Sequence, residues 1–229
     1  MSGVEPLAFM PEAVVFDMDG LMLDSERAII DCLARAAAEA GHPLEQALWL
    51  SMVGQGDAAC RAILAERLGA EATQALLQRS QALYEVRVDA GVPHRPGIVA
   101  LLDWLAQRAI PRAVATSTRR PLALRKLRAA GLLDRFDTVC TSSDVALPKP
   151  APDVYLLAAS RLQVDPARCL VLEDSPTGVR AALAAGMTPV QVPDMLAPDE
   201  AVRALRHRIV GSLDEARCLL AARLAAGRA

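Results

Sequence analysis

The order of apolar and polar positions divides the chain into two kinds of segment. Residues 13 to 16, Ala-Val-Val-Phe, form a short unbroken apolar run that stops at Asp17. Such a run, bounded by polar residues, predicts a strand buried on both faces. From residue 24 to residue 91 the spacing turns helical. Ile29, Ile30, Leu33, Ala36 and Ala37 recur at helical intervals, with Asp24 and Ser25 as candidate caps and Gly41 as a stop. A second apolar stretch, ALWLSMVG, leads to the break at Gly54, Gln55 and Gly56, and two more amphipathic patterns follow it. From Val92 the pattern alternates. RAVATS, TVCT, CLVLED, TPVQV and RIVG are the predicted strands, with helical segments between them. Alternation of this kind predicts βαβ units, right-handed crossovers and a parallel sheet. The expected class is therefore α/β, with a core from residues 1–23 and 92–229 and an all-helical domain, residues 24–91, inserted after the first strand.

Ligands of such sheets bind beyond the carboxyl ends of the strands, so the residues that follow each strand carry the chemical expectations. Asp17, Asp19 and Gly20 follow the first. In extended chain, side chains at i and i+2 share a face, and two adjacent carboxylates favour a cation between them. Thr116 and Ser117 follow RAVA, with Arg119 and Arg120 close behind. Lys149 sits among Pro148, Pro150 and Pro152, and it is one of only two lysines, with Lys126, among 25 basic residues. A compact ammonium suits a phosphate oxygen where a longer, planar guanidinium does not. Glu173 and Asp174 close CLVLED. Asp17, Asp174 and the backbone carbonyl of Asp19 make an oxygen set of the kind Mg²⁺ prefers. Phosphoryl transfer to a carboxylate needs these parts: Asp17 to attack phosphorus, Asp19 to exchange protons, Lys149 and hydroxyls to stabilise the transferring group.

Composition narrows the partners. A net charge of −2 gives no basic footprint for nucleic acid, and two Trp, two Tyr and three Phe supply few stacking platforms for bases. No apolar run is long enough to span a bilayer, and the first residues lack the pattern of a secretory signal, so cytoplasmic residence is expected. The five cysteines are scattered without a CxxC pair, which predicts reduced thiols, those of Cys140 and Cys169 in the core, and neither a disulfide framework nor a zinc site. The absence of a sustained heptad argues against a coiled coil. Oligomeric state stays open, with a monomer favoured.

VVFDMDG, VATS, Lys149 in PKPAPD, and VLEDSPTGVRAALAAGM follow one another over residues 14 to 187. In that order they resemble the four motifs of the haloacid-dehalogenase superfamily, in its phosphatase branch. DMDGLMLDSE and EDSPTGVRAALAAGM are most similar to the β-phosphoglucomutase-like and pseudouridine-phosphatase-like group. The resemblance implies a Rossmann-like core, a helical cap that closes over the site, and Mg²⁺. It implies Asp17 as nucleophile and Asp19 as general acid/base, with Thr116, Ser117 and Lys149 on the substrate phosphate. It implies metal ligation by Asp17, the Asp19 carbonyl and Asp174, with Glu173 beside them, and a cap loop of Gly54, Gln55 and Gly56 facing the substrate. Two departures separate the chain from the mutases of that group. Ile29 stands where they place a histidine, and residues 24–91 contain no lysine, with Asp57 where an arginine is expected. Dehalogenases lack the second aspartate that Asp19 supplies. The expectation is Mg²⁺-dependent hydrolysis of a small phosphomonoester, a sugar phosphate or nucleotide-like compound, through an aspartyl-phosphate. A hexose-phosphate mutase and a non-catalytic phosphometabolite-binding module are the alternatives.

Overall fold

Two units build the chain, Met1–Leu23 with His94–Ala229, and Asp24–Pro93. The computed structural model describes residues 7–53 and 57–226. The loop of Gly54, Gln55 and Gly56 lies outside the described residues.

The second unit is helical among its described residues: α1 (Ser25–Glu39), α2 (Gln46–Met52), α3 (Asp57–Leu68) and α4 (Ala70–Asp89). The apolar stripe of α1 turns Leu33, Ala36 and Ala37 onto Trp49, Met52, Leu64 and Leu76, which form the core of this unit. Gly41 ends α1 as its position suggests. At φ +77° it takes the left-handed conformation, and the N–H groups of Gly41 and His42 return to the carbonyls of Ala38 and Ala37. Asp24 behaves differently from the cap expected of it. It occupies the N-cap position of α1, but its carboxylate makes no capping bond and instead accepts from Arg27 at 2.7 Å. The guanidinium one turn ahead outcompetes the backbone amides for that carboxylate.

The first unit carries the sheet. Its strands are β1 (Ala13–Phe16), β2 (Arg112–Thr116), β3 (Thr138–Thr141), β4 (Cys169–Glu173), β5 (Thr188–Gln191) and β6 (Arg208–Ile209). They lie in the order β3-β2-β1-β4-β5-β6, every neighbouring pair parallel. This is the doubly wound order, in which the chain reverses direction of growth between β1 and β4 and opens a crevice there. Its helices are α5 (Ile98–Ala106), α6 (Arg120–Ala129), α7 (Asp153–Leu162), α8 (Pro176–Ala184), α9 (Glu200–Arg203) and, after the last strand, α10 (Leu213–Ala226).

The central strands are apolar between their ends because both faces are covered. Ala13, Val15, Ala113, Ala115 and Val171 pack with Val154, Tyr155 and Ala158 of α7 and Ala181 and Ala182 of α8. The residues between them, Val14, Phe16, Val114, Leu170 and Leu172, are just as fully buried. RIVG yields only the two residues of β6, at the sheet edge, where a single neighbour holds the strand. Cys140 and Cys169 are buried free thiols, and burial pushes Cys169 up to about 11. No helix among the described residues is long and apolar enough to cross a membrane.

Candidate active site

Register delivers the acidic residues. Phe16 of β1 lies opposite Leu172 of β4, and the Asp17 N–H donates to the Leu172 carbonyl at 3.0 Å. Asp17 and Glu173 therefore leave the sheet side by side, at the crevice the strand order opens. Beyond Asp19, which bridges Leu23, the chain turns. The N–H groups of Met22 and Leu23 both return to the Met18 carbonyl, and Met18, Leu21, Met22 and Leu23 bury their side chains beneath this turn. Gly20 enters it at φ +82°, and a Cβ on it would lie 2.4 Å from Asp174 Oδ2. Only glycine lets the Asp174 carboxylate approach this closely.

Lys149 joins the two strand ends. Its ammonium donates to Asp17 Oδ1 at 2.5 Å, to Glu173 Oε1 at 2.8 Å and to the Ala115 carbonyl of β2 at 3.0 Å, and the side chain is 3% exposed. Glu173 is held on every side. Oε1 also accepts from the Tyr155 hydroxyl at 3.0 Å, and Oε2 accepts from the N–H and Oγ of Ser175 at 2.7 and 2.9 Å. Ser175 in turn caps α8, its Oγ accepting from the Gly178 N–H at 3.0 Å. Gly178 leaves the room that Glu173 fills, since a Cβ there would lie 1.6 Å from Glu173 Oε1. The Tyr155 ring lies 4.6 Å from the Lys149 ammonium, a cation–π contact.

Burial dominates the electrostatics. It pushes Asp17 up to about 7, against the pull of Lys149 and with a further push from Glu173. Burial also works on Glu173, but Lys149 and the Ser175 donors outweigh it and hold that carboxyl below its usual value. Burial opposes the charge on Lys149, and Asp17 and Glu173 overcome it, raising the ammonium well above its ordinary value. Glu173 thus keeps its charge through its extra donors, while Asp17 lacks enough positive charge nearby.

The carboxylates of Asp17, Glu173 and Asp174 each offer an oxygen within 4.8 Å of the others. Lys149 pairs with Asp17 and Glu173, and Asp174 adds a third carboxylate to the cluster. A cluster of hard carboxylate oxygens of this kind fits a divalent cation of the Mg²⁺ type.

The Asp19 side chain is outside this cluster. Its Oδ1 accepts from Lys126 Nζ at 2.8 Å and its Oδ2 from Thr118 Oγ1 at 2.6 Å. Thr116 is buried, and its Oγ1 accepts the Thr118 N–H at 3.0 Å, so the hydroxyl expected on phosphate first shapes the turn that aims Thr118 at Asp19. Ser117 is exposed at the same strand end. Arg120 is not at the site. It pairs with Asp144 and with the Val139 carbonyl. The His94 ring is bonded to the Ala130 carbonyl at 2.8 Å, a structural contact of a loop residue. Lys126, Thr118 and Tyr155 are the residues that sequence reasoning missed. Lysine scarcity was a signal for Lys126, since both lysines of the chain end on site carboxylates.

The helical unit has a cavity of its own, of about 860 Å³, between α1, α2 and α4, lined by Ile29, Leu33, Trp49, Met52, Gln78 and Tyr84 among others.

Comparison with known proteins agrees with this geometry. Residues 11–186 match the model of the haloacid dehalogenase-like hydrolases. The phosphorylated carbohydrates phosphatase of Thermotoga maritima is 34% identical over 179 residues, covering 77% of this chain and 82% of its own. A crystal structure of a HAD family hydrolase from Deinococcus radiodurans, with bound phosphate and sodium, superimposes with a TM-score of 0.78 at 32% identity, covering 93% of this chain and 96% of that one. The β-phosphoglucomutase of Clostridium difficile superimposes with a TM-score of 0.67, covering 90% and 93%, but at 22% identity it speaks for the fold alone. The chain belongs to the haloacid dehalogenase-like hydrolase family. Within that family it is a phosphoric monoester hydrolase with the α/β fold of the group.

Proposed function

We propose that the chain hydrolyses a small phosphomonoester, a phosphorylated sugar foremost, through an aspartyl-phosphate on Asp17 and with Mg²⁺. The observation that carries this reading is the buried Lys149 between Asp17 and Glu173, with Asp174 completing an acidic cluster at the crevice between β1 and β4. The likeness to a phosphatase of phosphorylated carbohydrates supports the sugar phosphate.

An Asp17 oxygen forms a bond to phosphorus as the bond to the leaving oxygen breaks, and Asp19 gives that oxygen its proton. Asp19 then takes a proton from water, whose oxygen attacks phosphorus, releasing phosphate and restoring Asp17. Lys149, Ser117 and the remaining donor of the Thr116 hydroxyl contact the phosphate oxygens. Asp17, Asp174 and the Asp19 carbonyl would hold Mg²⁺, and Glu173 keeps Lys149 in place. Bound Mg²⁺ supplies positive charge that offsets the phosphate oxygens and favours ionised Asp17. The loop of Gly54, Gln55 and Gly56 is proposed to read the leaving group. A helical unit with no lysine argues against a mutase.

Turnover of 4-nitrophenyl phosphate with Mg²⁺ tests the nucleophile. Asp17→Asn is expected to lower kcat/KM by at least about 10³-fold. Unchanged turnover would remove Asp17 from the reaction. Assaying a panel of sugar phosphates for free phosphate and for isomerised product tests the reaction class, and isomerisation without net phosphate release would overturn hydrolysis.

A further inference from the structure

Lys126 is a buried charged group of the sheet unit to which the motifs give no function. Lys126 lies near the end of α6, in PLALRKLRAAG, where the pattern reads as the basic face of an amphipathic helix. Its side chain is 4% exposed, and its ammonium is 2.8 Å from Asp19 Oδ1. Arginine serves almost every other basic position in this chain, and those positions are mostly at the surface. A buried ammonium costs several kcal/mol of desolvation unless it is well paired, so a buried lysine bonded to the Asp19 carboxylate is a demanding arrangement.

The other Asp19 oxygen has its own donor. Thr118 Oγ1 lies 2.6 Å from Oδ2, and Thr118 is itself fixed by its N–H donating to Thr116 Oγ1 at 3.0 Å. Donors from two elements, α6 and the turn after β2, thus take one carboxylate oxygen each. A carboxylate held at both oxygens loses its freedom to rotate about χ2. Asp19 is also 28% exposed along its side chain, against 10% for Asp17. The clamped group still presents a face to solvent, where a leaving oxygen or a water reaches it.

We propose that Lys126 is a positioning residue for the reaction, which with Thr118 clamps the Asp19 carboxylate in the orientation that exchanges protons with the leaving group and the water. This rests on the reading of Asp19 as general acid/base. General acid–base transfer contributes about 10²–10⁴-fold in rate, and a mispositioned acid forfeits part of that factor. The loss falls on substrates whose leaving oxygen must be protonated as it departs. An aryl oxygen that leaves unprotonated is spared.

The test compares two substrates by kcat/KM, which reports the steps up to formation of the phospho-enzyme. One is 4-nitrophenyl phosphate, and the other is an alkyl sugar phosphate turned over by the wild type. Lys126→Met, which keeps the unbranched stem, is expected to lower the sugar phosphate value about 10- to 100-fold while the aryl value changes less than about 3-fold. Thr118→Val is expected to show the same selectivity more weakly. It also keeps the test decisive if Lys126→Met fails to fold, since it strands no ammonium. Equal losses on both substrates would make Lys126 a structural staple between α6 and the turn after β1 and overturn the proposal. Asp19→Asn separates the two levels. If it is selective and the clamp variants are not, the clamp is wrong; if it is not selective either, the assignment of Asp19 falls, and the clamp with it.

Discussion

Gly178→Ala sets helix propensity against site geometry, and the two predict opposite signs. In an ordinary helix the change stabilises by about 1 kcal/mol. Here the new Cβ would lie 1.6 Å from Oε1, 1.9 Å from Cδ and 2.5 Å from Oε2 of Glu173. The overlap is with the end of a flexible side chain, which elsewhere would swing aside at little cost. This one is fully buried, and its oxygens accept from Lys149, Tyr155 and both donors of Ser175. Moving it breaks a buried ion pair, which costs about 3–5 kcal/mol. With the helix gain subtracted, about 2–4 kcal/mol remains, or about 5 to 15 °C in Tm for a chain of this size. Thermal and urea unfolding measure it, and Glu173→Ala supplies the control. With the carboxylate gone, Gly178→Ala is expected to be neutral or to stabilise by up to about 1 kcal/mol, a coupling of about 2–5 kcal/mol across the cycle. A Gly178→Ala protein as stable as wild type, with additive effects in the double mutant, would refute the claim that Gly178 exists to seat Glu173.

Two further predictions concern other parts of the same unit. Gly20→Ala places a Cβ 2.4 Å from Asp174 Oδ2 at a φ of +82°, so calorimetric titration with Mg²⁺ is expected to show about 10- to 100-fold weaker binding; wild-type affinity would mean that Asp174 does not hold the ion. Asp144 is held down from 3.8 to about 2, chiefly by its bonds from Arg120. Its ionised form therefore contributes above the unfolded value, and the contribution is lost as pH falls from 3.8 through about 2. The shift corresponds to about 2 kcal/mol at most, part of it screened by solvent at Arg120. In urea unfolding, the gap between wild type and Asp144→Asn should narrow over that acid window, and a gap independent of pH would contradict the assignment.

The parts of the site that lie along strands were legible from the order of residues alone. A four-residue apolar run such as Ala13–Phe16 has one plausible fate, and the carboxylates after it inherit a place at the sheet edge. The same reasoning placed Asp17, Lys149, Glu173 and Asp174 near one another across long separations, because parallel strands align their ends. Contacts through helix faces were not legible. Lys126 and Tyr155 sit in amphipathic patterns whose surface and core sides depend on how the helix is rolled against the sheet, which spacing does not specify. Periodicity alone reads Lys126 as solvated and Tyr155 as ordinary core. The Asp24 cap was misread for a related reason, since propensity at the N-cap position does not register a competing guanidinium one turn away. Extension through Asp19 says nothing of partners: the chain turns only from Gly20, yet Asp17 bonds Lys149 while Asp19 bonds Lys126 and Thr118.

The burial of both lysines makes the active site addressable by amine chemistry. Reagents that acylate or reductively methylate primary amines ordinarily label a protein's exterior, but here the side-chain amines of Lys126 and Lys149 are 4% and 3% exposed. Each modification that appears at either one marks a moment when the sheet edge has opened. The two sites lie in different peptides, one reporting on Asp19, the proposed proton-exchanging carboxylate, and the other on Asp17, the proposed nucleophile. Their labelling rates, read by mass spectrometry, follow the breathing of each half separately, with no probe introduced.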